Sequence, residues 1–189
     1  MELVHLNYLE KNEGEGMESI ETKRLLLIEY TREMIEATIA GIGELEAVLG
    51  CEVSEDWPGI DFFFYLPYVL DNVKKKPEMT RWTRLVILKE ENIVIGEIGG
   101  QGDPDETGEI ELGYSIVPEF QHHGYMTEAL SAMLAWLKEQ EVITRIFARS
   151  FESNLASIGV LERTGFVHQM NEDEVQSGGK ITHWEWHKK

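Results

Sequence analysis

At 189 residues, 42% hydrophobic and 10% aromatic, the chain has the size of one ordinary domain with a substantial core. Lys and Arg number 17 against 35 Asp and Glu, a formal net charge of −18 that excludes a basic phosphate-reading face and argues against nucleic acid as the partner. One cysteine excludes a disulfide framework and any multi-cysteine zinc site and suits a reducing, cytoplasmic location, and no apolar run reaches the ~18–20 residues that would span a membrane.

Residues 1–19 are acidic, carry Gly14 and Gly16, and show no sustained apolar period, which predicts a flexible N-terminal tail ahead of a single domain over 20–189. Glu13-Gly14-Glu15-Gly16-Met17 would also be encoded by a purine-rich run of the kind that precedes a bacterial start codon, an expectation that the native chain begins at Met17. The apolar run 23–30 has strand character. Over 31–49, Met34, Ile35, Ile39, Ile42, Leu45, Val48 and Leu49 recur at helical spacing, and Gly41 and Gly43 split the stretch into two short helices. Asp56-Trp57-Pro58-Gly59 breaks the pattern before a helix that contains Pro67 and runs to about residue 75.

Strands follow at 82–89 and 93–99, joined by a tight turn at Glu91-Asn92. A polar loop over 102–108 leads to a strand over 109–117, whose residues alternate with period two until Pro118 ends the ladder. The stretch 127–139 is an amphipathic helix, 142–151 a strand, 154–164 a helix stopped by Gly165, and 166–170 and 181–187 two closing strands. Strands that arrive together before the long helix, and alternate with helices after it, predict an α/β (α+β) fold: a mixed, mostly antiparallel central sheet with helices on both faces.

Two segments carry chemistry. In Gln121-His122-His123-Gly124-Tyr125-Met126-Thr127 a strand gives way to a long helix through a short loop with one glycine. Unpartnered N–H groups and the positive end of the helix dipole make such a junction suited to a pyrophosphate; a glycine needed only for the turn explains it equally well. In the second segment Asn154 can cap a helix and Ser157 can be an ordinary first-turn serine.

Taken together, Gln121-x-x-Gly124-x-Met126 and, about thirty residues on, Asn154-x-x-Ser157-x-x-Val160-Leu161-Glu162-x-x-Gly165-Phe166 resemble the GNAT acetyltransferases, most closely the branch of the ribosomal-protein N-acetyltransferases. Thr22-x-Arg24-Leu25, Ile95-Gly96-x-Ile98-Gly99 and Glu111-Leu112-Gly113-Tyr114-Ser115-Ile116 match in the same order. The resemblance implies acetyl transfer from acetyl-CoA, without a metal, to a small-molecule amine or a protein N-terminal amine, by direct attack in a ternary complex. It also implies that the strand end at Ile116 and Val117 pairs with pantetheine and that the main chain of Gln121, His122, His123, Gly124, Tyr125, Met126 and Thr127 holds the pyrophosphate. Asn154 would bind cofactor or ordered water, and Ser157 would sit by the sulfur. A homodimer is common among similar proteins. A non-catalytic, acetyl-CoA-binding regulatory module is the alternative.

The family often has glycine and a basic residue where this chain has His122 and His123, which implies a weaker or more pH-dependent grip on the cofactor. Leu161 stands where some relatives carry a tyrosine donor, and Arg149 where some carry a carboxylate base. Transfer needs a neutral amine, which costs roughly 4–5 kcal/mol from a lysine at pH 7 but only about 1 kcal/mol from an α-amine. The candidate bases are Glu111 first and Glu109 second, on the strand that leads to the loop. Ser157 is too weak an acid to do more than donate a hydrogen bond or relay a proton to the thiolate. A backbone N–H near Val117 is the expected oxyanion donor. Trp57, Phe64 and Tyr65, with Asp56 and Asp61 nearby, are candidates to receive the acceptor, although the simplest account of this aromatic cluster is that most of its rings are core. His183 and His187 lie on a strand, where their spacing does not make a metal site.

Overall fold

The computed structural model describes residues 18–176 and 178–188. The expected tail over 1–19 and the expected start at Met17 therefore lie almost entirely outside the described residues. The described chain opens with β1 (Ile20–Glu21) and β2 (Leu25–Glu29), whose Leu25–Ile28 run is fully buried. Thr31 then caps α1 (Arg32–Ala40) by accepting from the Met34 N–H. Gly41, at φ 142°, ends α1 with its N–H on Ala37 O and starts α2 (Ile42–Leu49), so the expected split into two helices is present. β3 (Glu52–Val53) follows, then α3 (Ile60–Lys75), which accommodates Pro67.

β4 (Thr83–Leu88) and β5 (Ile93–Gln101) form the hairpin read from the sequence, with Asn92 in the left-handed region at φ 54°. The segment read as a polar loop contains the one-turn helix α4 (Pro104–Thr107), with proline at its first turn, where no N–H is needed. β6 (Glu109–Ile116), α5 (Tyr125–Lys138), β7 (Arg145–Phe151) and α6 (Leu155–Arg163) follow as expected. The strand expected over 166–170 shrinks to β8 (Val167–His168), while β9 (Glu174–Gln176) and β10 (Gly179–Trp186) complete the chain.

The fold is mixed α/β, with a ten-stranded sheet in the order β1-β2-β4-β5-β6-β7-β10-β8; β3 joins β5, and β9 joins β10. The pairs β1/β2, β2/β4, β7/β10, β8/β10 and β9/β10 are antiparallel, whereas β3/β5 and β6/β7 are parallel. Two compact units emerge. One holds the described residues up to Glu97 together with Ser115–Tyr125, and the other holds Ile98–Tyr114 with the residues from Met126 onward. In the first, Leu25, Leu27, Ile28, Leu45, Leu66, Leu85 and Trp82 are core; in the second, Ile110, Ala129, Leu130, Met133, Leu137 and Leu161 are. No described helix is long and apolar enough to cross a membrane.

Candidate active site

In the first unit, β6 ends against β5. The Val117 N–H donates to Ile95 O at 2.9 Å, and Gln121 Nε2 folds back to donate to Ile116 O at 2.8 Å. The Val117 amide itself is therefore engaged, because the strand ladder continues one residue past β6, and an oxyanion donor near Val117 must be another N–H. Gly96 permits this closeness: a Cβ there would lie 2.1 Å from Ser115 O.

The loop that follows is exposed, with His122 at φ 64° and Gly124 at φ 79°. The left-handed backbone at His122 explains why glycine suits that position in similar proteins. A loop that intersperses left-handed residues and then runs into a helix start turns N–H groups to one side, the geometry of an anion nest. Arg24, just before β2, braces it: Nη1 donates to His123 O at 3.0 Å, and the guanidinium lies 4.5 Å from the centroid of the Tyr125 ring, on which His123 stacks. The basic group that positions 122 and 123 lack thus arrives from a distant segment. In the sequence Arg24 is legible only as part of the Thr22-x-Arg24-Leu25 motif.

Glu97, on β5, is the other feature that reading missed. It is 7% exposed; Trp57 Nε1 donates to its Oε2 and Ser115 Oγ to its Oε1, each at 2.7 Å. Burial pushes its carboxyl up to about 7, while the Ser115 and Trp57 hydrogen bonds pull the other way. A charge inside the apolar run 93–99 was the available signal. Tyr30 stands edge-on to Trp57, and burial raises its phenol pKa further above the usual value.

The expectation that most rings of the aromatic cluster are core is overturned. Trp57 is buried, but Phe63, Phe64, Tyr65 and Tyr68 are exposed, Phe64 by 75%. Leu66 and Val73 take the inward face of α3, and the helical period carries Phe64, Tyr65 and Tyr68 away from it, with Phe63 at its margin.

In the second unit, the β6/β7 ladder runs only from Glu109↔Arg145 to Glu111↔Phe147, although both strands continue. They part beyond that point. Tyr114 reaches α6, its hydroxyl 3.1 Å from Ser157 Oγ and donating to Ser157 O at 3.2 Å. Burial raises the Tyr114 phenol pKa, partly offset by Ser157 and by the Arg163 charge. Asn154 caps α6 by accepting from the Ser157 N–H at 3.1 Å. Thr127 Oγ1 accepts from Arg163 Nε at 3.4 Å, and Met126 is buried.

The two carboxylates expected to act as bases both face arginine. Glu111 takes a two-point fork from Arg149, Nε–Oε1 at 2.8 Å and Nη2–Oε2 at 2.9 Å, and Glu109 lies 3.9 Å from Arg145. Arg149 thus holds its charge more firmly, chiefly through the Glu111 hydrogen bonds. Among the described residues no group of three His, Cys, Asp or Glu side chains could hold a metal ion.

A family model described as an acetyltransferase (GNAT) domain matches residues 57–167. "Uncharacterized N-acetyltransferase YjdG" of Bacillus subtilis is 32% identical over 149 residues, covering 78% of this chain and 89% of that protein. Among solved structures, the RimL ribosomal L7/L12 α-N-protein acetyltransferase in complex with coenzyme A is similar with a TM-score of 0.64 at 17% identity, covering 89% of this chain and 97% of that one. The ribosomal-protein-S5-alanine acetyltransferase of Vibrio fischeri gives a TM-score of 0.63 at 19% identity, covering 89% and 96%. At such identities these two structures speak for the fold.

Proposed function

The chain belongs to the GNAT acetyltransferase family, and from that membership we propose that it moves the acetyl group of acetyl-CoA onto a primary amine, either a small molecule or a protein N-terminus, by direct attack in a ternary complex. The observation that carries this reading is the early end of the β6/β7 ladder. Two parallel strands that part after Glu111 and Phe147 leave main-chain donors and acceptors on β6 and β7 to pair with the amide-bearing pantetheine arm. The main chain from Gln121 to Thr127 takes the diphosphate, with Arg24 supplying the positive charge that His122 and His123 do not.

Ser157 and Tyr114 meet the departing sulfur. Their hydroxyls, 3.1 Å apart, form a relay in which either can donate to the thiolate. Tyr114, whose phenol is made a weaker acid by burial, serves chiefly as a hydrogen-bond donor. Asn154 keeps the first turn of α6 in place around Ser157. Most of the rate then comes from holding amine and thioester together. Glu111, forked by Arg149, and Glu109, 3.9 Å from Arg145, are held in ion pairs and serve this reaction as electrostatic partners. Phe64 and Tyr65, exposed on α3 near Asp61, offer an apolar and acidic surface to a cationic acceptor.

Calorimetric titration with acetyl-CoA, followed by a free-CoA release assay over α-amines, polyamines and aminoglycosides, tests the proposal. Micromolar binding with release for at least one amine class is the expected result. Binding without release from any amine favours the non-catalytic module, and absence of binding overturns both readings.

A further inference from the structure

We propose that Glu97, held between Trp57 and Ser115, is the proton acceptor for the incoming amine, an assignment that rests on the acetyl-transfer reading above.

Among the described residues Glu97 is the one acidic residue buried as a whole, and the shielded Asp173 side chain, unlike it, meets Lys180 and His168. Trp57 Nε1 and Ser115 Oγ, which donate to it, are both neutral. Glu29, Glu109 and Glu111, by contrast, each face arginine. A carboxylate buried without a cation is costly to keep charged, and a glutamine would meet the same two groups without that cost. Packing therefore does not call for an acid here, whereas proton transfer does. The groups that face it are Trp57 from the segment before α3, Ser115 from β6, and Tyr30 from the end of β2, whose phenol feels the carboxylate charge; none is a cation.

Position and acidity agree with the role. Ser115 directly precedes Ile116 and Val117, the strand end assigned to the thioester arm, so the Ser115 hydrogen bond ties the carboxylate to that segment. Each oxygen accepts one hydrogen bond and has a second lone pair with which to accept from an ammonium or a bridging water. A carboxyl near 7 lies about one pK unit below an α-ammonium and more than three below a lysine. Proton transfer from an α-amine is then nearly balanced, which makes α-amines the matching acceptor class.

In the step itself, the Glu97 carboxylate takes one proton from R–NH3+, directly or through water. The freed amine nitrogen attacks the thioester carbonyl, the N–C bond forms and the C–S bond breaks. The second nitrogen proton ends on the departing thiolate, and Glu97 returns its proton to solvent.

The test compares wild type, Glu97→Gln, Ser115→Ala and Trp57→Phe. Each is assayed by CoA release from pH 5.5 to 9 with saturating acetyl-CoA and whichever amine of the screen the wild type acetylates fastest, alongside acetyl-CoA calorimetry and circular dichroism. Glu97→Gln is expected to lower kcat by about 10²–10⁴-fold and to remove the ascending limb near pH 7, with acetyl-CoA affinity within twofold of wild type. Ser115→Ala and Trp57→Phe each remove a hydrogen bond that favours the carboxylate, so each should move that limb to higher pH. The proposal is overturned if Glu97→Gln keeps kcat within threefold with the limb in place. If Glu97→Gln fails to fold, a limb that neither Ser115→Ala nor Trp57→Phe moves overturns it equally. Intact acetyl-CoA binding together with wild-type turnover confines a failure to Glu97, whereas a wild type that releases no CoA with any amine refutes the transfer reading as a whole.

Discussion

Replacing Gly96 with alanine tests how closely β5 and β6 must approach. The added methyl would sit 2.1 Å from Ser115 O and 3.0 Å from Ile116 Cδ1. A carbon and a carbonyl oxygen rest at about 3.3 Å or more, so the strands must yield by about 1 Å. The obstacle is backbone on a buried strand, which no rotamer change relieves. Overpacking of this kind costs about 1–3 kcal/mol, and stretching the adjacent Val117 N–H to Ile95 O bond adds about 1 kcal/mol. The sum, about 2–4 kcal/mol, corresponds to a fall in Tm of roughly 5–15 °C for a chain of this size. Scanning calorimetry and urea unfolding measure it, and Gly43→Ala is the control: Gly43 lies inside α2 with nothing within 4 Å of the added carbon. Gly43→Ala should hold or raise stability by about 0.5–1 kcal/mol. Equal midpoints for the two variants would refute the close-approach argument.

Glu97 also governs pH dependence of stability. Its folded pKa, about 7, is raised above the ordinary 4.5, so the neutral form is favoured in the fold; the stability tied to it is complete below pH 4.5 and disappears as pH climbs through 7. The unfolding free energy of wild type relative to Glu97→Gln should therefore drop by up to about 3 kcal/mol between pH 4.5 and 8, and parallel urea-unfolding curves across that range would count against it. Arg24→Gln should weaken acetyl-CoA binding about tenfold in calorimetry by releasing the His123 carbonyl and removing a charge from the loop; unchanged affinity would place the diphosphate elsewhere. Ser157→Ala should slow transfer about tenfold without abolishing it, since Tyr114 remains to meet the sulfur; total loss with cofactor binding intact would contradict the shared relay.

Local physics made most of the fold readable. Period-two alternation placed β6, the 3.6-residue stripe placed α5, and Asn154 announced the cap of α6 before any coordinates did. β9 escaped notice because Glu174, Val175 and Gln176 are all exposed and carry no alternation to detect. The acid-rich Pro104–Thr107 turn read as loop because four residues hold too little periodicity to announce a helix. At the site, the loop and the Asn154–Ser157 segment were legible as motifs. The partnerships that qualify them were not: Tyr114 with Ser157 and Glu97 with Trp57 join residues 43 and 40 positions apart, and no local pattern encodes such meetings. The exposed aromatics of α3 misled for a related reason, since ring-rich composition suggests a core while only the packing partners of Leu66 and Val73 decide which side faces in.

The brace from Arg24 to His123 spans 99 positions of chain. Closing so large a ring of polypeptide is entropically expensive and slow, and contacts of that range are late arrivals on a folding pathway. While the protein is being synthesised, everything between those two residues must be made before the clasp can shut. Cofactor affinity should consequently appear after most helix content during refolding, and the ligand would act as a seal on a nearly finished molecule instead of a seed for it.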